Sequence, residues 1–163
     1  MTKRIAPLLL IILLSACASP QAETAEVTKP MMRVSPDPSA TGLNRLTFQV
    51  ALKDTSVASG ERATLEITVR NETDEPITDP GCYLAQTSAA IIPEGEPDAE
   101  LWLQVITDCQ GPSKMDPGDQ EAWETILYAR TKSGEGLEAG RYIAALEMRG
   151  VDHRFELPIE VTE

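Results

Sequence analysis

Aromatic residues are scarce: two Trp, three Tyr and two Phe in 163 residues. Histidine is scarcer still, with His153 as its one copy. A blue-copper centre needs two His and a Cys, so a single His excludes it. A Ser-His-Asp site would have to use His153, and no Gly-x-Ser-x-Gly occurs to supply its nucleophile. No Gly-rich phosphate loop is present. Basic residues are outnumbered 14 to 26 by acids, and the net charge of −12 argues against nucleic acid and anionic lipid as partners. No apolar run reaches the roughly 20 residues that span a bilayer. No segment carries a long helical stripe.

Metal chemistry is equally thin. Cys82 and Cys109 are 27 positions apart with no His between them, which is not a zinc spacing. Met31-Met32 is the one soft pair that copper(I) would find. Asp74-Glu75 with Asp79, and Asp116 with Asp119, are acidic pairs without the regular spacing of a calcium loop. They read as solvated turns. The expectation is therefore no enzyme, no cofactor, no resident metal and no catalytic residue.

What is present begins at the N-terminus. Lys3 and Arg4 precede an apolar run over residues 5–14, broken only by Pro7, and Leu14-Ser15-Ala16-Cys17 follows. The run has the length of a signal-peptide core, with small residues at the cut site. These four residues resemble the lipobox of bacterial lipoproteins, position for position. The resemblance implies removal of residues 1–16. Cys17 then becomes a lipidated N-terminus, with thioether-linked diacylglycerol and usually a third acyl chain. Two or more chains anchor stably where one is marginal. Ala18, not Asp, follows Cys17, which by the family's sorting pattern implies the outer membrane, facing the periplasm. The processed chain carries 12 basic and 26 acidic residues, a net −14.

Three cysteines are an odd set for an oxidising compartment. Lipidation of Cys17 leaves Cys82 and Cys109, and export permits a disulfide between them. Residues 92–99 are rich in turn formers. If they close a symmetric hairpin, residues whose numbers sum to 191 face each other, and Cys82 faces Cys109. Opposed strand residues lie about 4.5–5.5 Å apart at Cα, within reach of a disulfide.

Residues 17–43 read as the lipidated Cys and a flexible tether. Pro20, Pro30, Pro36 and Pro38 interrupt a stretch with no aromatic residue and no sustained apolar period. Such a stretch buries too little to offset its ordering entropy. An ordered arm is conceivable only at Met31, Met32 and Val34. All seven aromatics lie beyond, so residues 44–163 are read as one domain.

Within that domain the apolar period is two. Leu46, Phe48, Val50 and Leu52 alternate with polar or small residues. Ser59-Gly60-Glu61 reads as a turn, and Ala63, Leu65, Ile67 and Val69 follow. Leu101, Leu103 and Val105 share a face opposite Trp102. Trp123, Thr125 and Leu127 form the next stripe, then Tyr142, Ala144, Leu146 and Met148. The last is Phe155, Leu157, Ile159 and Val161. Pro158 cannot donate to a ladder, so that strand is expected to be an edge, or one-sided there. About seven short strands between turns predict an all-β antiparallel sandwich.

Three segments carry a resemblance to bacterial immunoglobulin-like domains. They are Leu65-Glu66-Ile67-Thr68-Val69-Arg70-Asn71-Glu72-Thr73-Asp74-Glu75-Pro76-Ile77, Met115-Asp116-Pro117-Gly118-Asp119, and Leu137-Glu138-Ala139-Gly140-Arg141-Tyr142. Their order resembles that of the bacterial intracellular proteinase inhibitor family. The resemblance implies an immunoglobulin-like sandwich, with Gly118 and Gly140 set by backbone geometry and Tyr142 a packed corner residue. The family's aromatic-rich central hairpin is not matched, since Tyr83-Leu84-Ala85-Gln86-Thr87 and the cysteine pair stand in its place. The sequence thus reads as a non-enzymatic binding module, held to a membrane through lipid on Cys17. Its partner would be a protein or another envelope component, met at an unpaired strand edge or at the Trp102 face. A protease inhibitor presenting residues 92–98 is the alternative; a hydrolase or metal carrier is a weaker one.

Overall fold

The computed structural model describes residues 29–35, 42–78, 87–96, 98–100 and 114–163. Ten strands are found there: β1 (Met31–Val34), β2 (Thr47–Leu52), β3 (Ser56–Ala58), β4 (Arg62–Arg70), β5 (Ile77–Thr78), β6 (Thr87–Pro93), β7 (Lys114–Met115), β8 (Gln120–Tyr128), β9 (Gly140–Met148) and β10 (Arg154–Thr162). A 3-10 turn, Gly42–Arg45, precedes β2. Among the described residues no helix is long and apolar enough to cross a membrane.

Two four-stranded sheets face each other, ordered β1-β2-β4-β8 and β3-β10-β9-β6, with β5-β7 as a separate pair. The first long strand is split. Its early half, β2, pairs antiparallel with β4, and its continuation β3 crosses to the other sheet to run parallel to β10. This is an immunoglobulin-like β-sandwich. The β3–β10 pairing departs from the all-antiparallel expectation. The split strand keeps its direction when it changes sheets, and β10 runs the same way.

The alternation read from the sequence is the burial pattern observed. Phe48, Val50 and Leu52 from β2 and Leu65, Ile67 and Val69 from β4 are buried. They meet Leu146, Phe155, Leu157, Ile159 and Val161 from the other sheet. Phe48 and Phe155 cross between sheets with ring centroids 6.0 Å apart and a 58° tilt.

The three resemblance segments form corners. At the end of β4, Asn71 is fully buried. Its Nδ2 donates to the carbonyls of Glu75 and Met115, each at 2.9 Å. Its Oδ1 accepts from the Thr73 N–H at 3.0 Å and hydroxyl at 2.7 Å. Gly118, at φ +88°, supplies the left-handed position of the β7–β8 turn, and its N–H donates to the Asn71 carbonyl at 2.8 Å. Tyr142 is the packed corner residue expected: its hydroxyl donates to the Glu138 carbonyl at 2.9 Å. Gly140 differs from expectation. It is not among the left-handed glycines. A Cβ there would meet the Tyr142 ring at ordinary contact, 3.6 Å, so neither backbone geometry nor space demands glycine.

Pro158 sits where β10 has one partner. It lies opposite Ile143 on β9, while β3 begins its pairing at Glu160. The Glu160 N–H donates toward the β3 side, to the Thr55 carbonyl at 2.9 Å. By alternation the Pro158 nitrogen also faces that side, where it meets no strand. Its missing N–H therefore blunts an edge without costing a ladder bond.

Met31–Val34, four residues of the stretch read as tether, form β1 on the edge of the first sheet. Met32 and Val34 pack against the core. The Leu52 N–H donates to the Pro30 carbonyl at 3.3 Å, so alternation turns Met32 and Val34 amides toward β2 and those of Met31 and Arg33 outward. Polar contacts pin the arm. The Thr47 hydroxyl donates to Glu72 Oε2 at 2.7 Å, and Arg33 Nη2 reaches both Glu72 oxygens at 2.9 and 3.1 Å. The Thr47 bond foremost, with the Arg33 charge, holds the Glu72 carboxyl below its ordinary range, against a smaller opposing effect of desolvation. A lowered carboxylate contributes stability above the unfolded value near 4.5, and loses it as pH falls through the folded one. Glu72→Gln is therefore expected to cut hydrogen-exchange protection of the Met32 and Val34 amides by about two- to five-fold at pH 7. Leu65 protection should not change. Acidifying the parent protein below about pH 4 should reproduce the local loss.

Candidate functional site

Cys17, Cys82, Cys109 and Trp102 lie outside the described residues, as does the strand expected around Leu101, Leu103 and Val105. The inhibitor-type loop is only partly a loop: Ile92 is buried and Pro93 is the last residue of β6. A turn follows, with Gly95 at φ +95° and the Glu96 N–H donating to the Pro93 carbonyl at 3.3 Å. His153, just before β10, is half-buried. Its ring stands edge-on to Phe155 at 5.0 Å, and Nε2 is shut from solvent without a partner among the described residues. Among the described residues, no three His, Cys, Asp or Glu side chains converge as a metal site would need.

Strand register builds a different site on the outer face of the second sheet. Residues of β6 and β9 whose numbers sum to 235 are opposed, as are residues of β9 and β10 summing to 301. Rows therefore cross three strands. Ala90, Ala145 and Glu156 form one row, and Ile92, Ile143 and Pro158 the next. Ala90, Ile92 and Ala145 are a second small apolar cluster, with Ala99 and Ile143 packed on it. The last opposed pair on this face is Arg141 and Glu160; β6 ends at Pro93, opposite Tyr142, and Glu94 follows in the turn, so the last row is Arg141 and Glu160 with Glu94 at the turn beside them.

That last row lines an open groove of about 390 Å³, together with Pro30, Thr55, Tyr142, Pro158 and Ile159. Pro30 immediately precedes β1, so the N-terminal segment enters the sandwich at this groove. Thr55 comes from the β2–β3 connection and Tyr142 from the corner described above. Neighbouring residues across strands place their Cβ atoms about 4.5–5.5 Å apart. Arg141 and Glu160 are such neighbours and Glu94 lines the same groove, yet Arg141 makes no ion pair among the described residues.

The contrast with Arg154, on the same face, is informative. Arg154 is largely covered. It lies 3.0 Å from Glu156, 3.7 Å from Glu147 and donates to the Ala99 carbonyl at 3.4 Å. Its charge is used within the fold. Arg141, Glu94 and Glu160 are exposed and hold one positive and two negative charges toward solvent. Elsewhere charges are also matched locally. Glu66 and Glu124 oppose each other on the first sheet, a repulsive pairing. Lys53 relieves it at 3.1 Å from Glu124, and the Lys53 pKa is raised chiefly by that hydrogen bond. The Glu100 carboxyl is lowered by Lys132 at 2.8 Å.

No local motif announces this row. Its members are 47 and 19 positions apart and come together only where β9 pairs with β10 and the turn after β6 reaches the same groove. Chemically, the row can accept a cation on either carboxylate and an anion on the guanidinium at once.

No protein-family model matches the chain, and no curated protein matches it. Among the solved structures similar to it are β-glucosidases, matched over part of their length. One, from Listeria innocua in complex with gluconolactone, is 12% identical with a TM-score of 0.39, over 71% of this chain and 16% of that one. A β-glucosidase from Erythrobacter marinus is 15% identical with a TM-score of 0.41, over 82% and 16%. A Listeria innocua variant with laminaribiose is 12% identical with a TM-score of 0.42, over 89% and 20%. The chain thus matches about a sixth to a fifth of each of these proteins' length. At these TM-scores the similarity identifies neither an activity nor a substrate.

Proposed function

We propose that the chain is a lipid-anchored cell-envelope protein whose β-sandwich is a non-enzymatic binding module. The observation that carries the reading is Leu14-Ser15-Ala16-Cys17 closing a signal-length apolar run behind Lys3 and Arg4. Cys17 carries the lipid, and Ala18 directs the protein to the outer membrane, facing the periplasm. Cys82 and Cys109 form the disulfide of the exported chain. The domain meets an envelope component, and the groove around Arg141 is the surface for it. The position of that groove supports the assignment, because the segment leading from Cys17 reaches the sandwich beside it at Pro30.

Producing cells grown with radiolabelled palmitate test the anchor. The protein is expected to be labelled and recovered with membranes, and Cys17→Ser to lose the label. An unlabelled parent protein retained in the cytosol would end this reading.

A further inference from the structure

We propose that the Glu94–Arg141–Glu160 row binds the zwitterionic phosphoethanolamine headgroup of a membrane glycerophospholipid. The identification of the ligand rests on the anchored reading above; the chemistry of the row does not.

The argument starts from what the row offers. Arg141 presents a planar, permanently charged fork suited to phosphate oxygens. Glu160, opposite it on β10, and Glu94, in the turn after β6 on the same groove, accept from an ammonium. Phosphoethanolamine carries both groups on a two-carbon link, short enough for neighbouring strands to hold them together. The groove, about 390 Å³, is within the range of small-ligand sites. Pro30 and Pro158 give it apolar walls for the glycerol and link carbons.

Charge then selects among headgroups. The row is net negative, and residues 44–163 carry ten basic against 23 acidic side chains. An anionic headgroup is repelled by both. A choline headgroup has no N–H to donate to the carboxylates, and no aromatic cage lines the groove to receive a quaternary ammonium. An ethanolamine ammonium has three donors.

Reach supplies the rest. Pro30 is 13 positions after Cys17. A flexible chain of that length has a typical span of about 20 Å, and a fully extended one about 45 Å. Whatever their conformation, 13 positions cannot place Pro30 more than about 45 Å from the lipid on Cys17. Linking of this kind gives effective concentrations on the order of millimolar, so a weak site suffices. Occupied, it would seat the end of the second sheet that carries Arg141 and Glu160 on the bilayer.

The test uses two preparations and one readout, the NMR shifts of the Arg141 Nε–H and of the Glu94 and Glu160 amides. First, the full chain carrying Cys17→Ser, in phospholipid-free maltoside micelles, is titrated with glycerophosphoethanolamine. Saturable shifts at millimolar concentration are expected. Arg141→Ala and Glu160→Gln should each weaken binding by about tenfold while keeping native amide dispersion. Both positions are exposed, so the variants should fold. Glycerophosphocholine and inorganic phosphate should bind at least several-fold more weakly. Absence of saturation, undiminished binding by Arg141→Ala, or equal binding of choline or phosphate would overturn the proposal. Second, the lipidated chain is placed in nanodiscs. Shifts are expected with phosphatidylethanolamine and not with phosphatidylcholine alone. Binding of the soluble headgroup without a nanodisc response would overturn the membrane ligand in favour of a soluble phosphoethanolamine. Failure of palmitate labelling leaves the first titration interpretable, so the anchor and the site fail separately.

Discussion

Phe155→Ala is expected to lower the unfolding free energy by about 3–5 kcal/mol, the usual cost of removing a buried aromatic ring. Phe155 is fully buried. It lies against Phe48 from the opposite sheet and under the edge of His153. Its removal leaves a cavity between the sheets that neither long strand can close without breaking its own ladder. Domains of this size have about 5–15 kcal/mol in total, so the loss is a large share. The melting temperature should fall by roughly 10–20 °C. Phe155→Leu, which keeps the apolar contact and loses part of the volume, should fall well short of that. Thermal unfolding by circular dichroism compares the three. A decrease of under about 1 kcal/mol for the alanine variant would mean that the two sheets do not share this core.

Asn71→Ala should cost about 2–4 kcal/mol for a different reason. No large apolar volume is lost. The amide of Asn71 satisfies the Glu75 and Met115 carbonyls and accepts from Thr73, all at a position closed to water. Deleting it strands the Met115 carbonyl in the interior and takes one bond from the part-buried Thr73 N–H; the Glu75 carbonyl keeps the Thr73 hydroxyl at 2.9 Å. The substitution should also release the β7–β8 turn, because the Asn71 backbone exchanges bonds with Gly118 and Asp119. Asn71→Asp separates donor from acceptor roles. A carboxylate still accepts from Thr73, but it faces two carbonyls with no proton to give. Its folded pKa should then rise above the unfolded value, so that its neutral form is favoured in the fold. Such a group destabilises increasingly as pH rises through the unfolded carboxyl range. The gap between Asn71→Asp and the parent protein should be smaller at pH 4 than at pH 7 in urea unfolding. A gap independent of pH would show that the corner does not depend on the Asn71 amide protons.

Both residues were legible to different degrees. Phe155 heads the clearest alternating stripe in the chain, and its burial follows from period two alone. Asn71 was recognisable as part of a turn segment, but its role as a buried hub was not. That role depends on Met115, 44 positions away, arriving beside it. Pro158 shows the same division. Its lack of an N–H predicted one-sided pairing, whereas the identity of the one partner, Ile143, came from the fold. β1 was the least legible strand. Four residues among prolines are too short a stretch to predict order, and Arg33 within them is held by Glu72, which also accepts from Thr47, two distant segments of the chain.

The candidate site lay beyond sequence reading altogether. Arg141 appeared there as part of a corner motif, and Glu94 as part of a polar loop. The sequence on its own determined which side of β2, β4, β8, β9 and β10 faces inward, where the corners fall, and that Leu14-Ser15-Ala16-Cys17 resembles a lipobox. These are local properties: side-chain alternation, turn chemistry and a contiguous motif. Only the tertiary structure decided which strands are neighbours and in what register. Those choices depend on hydrogen bonds between distant segments, and a period of two carries no information about them. Arg141 and Glu160 face each other through that register, with Glu94 at the turn beside them, so the row exists only in the folded protein.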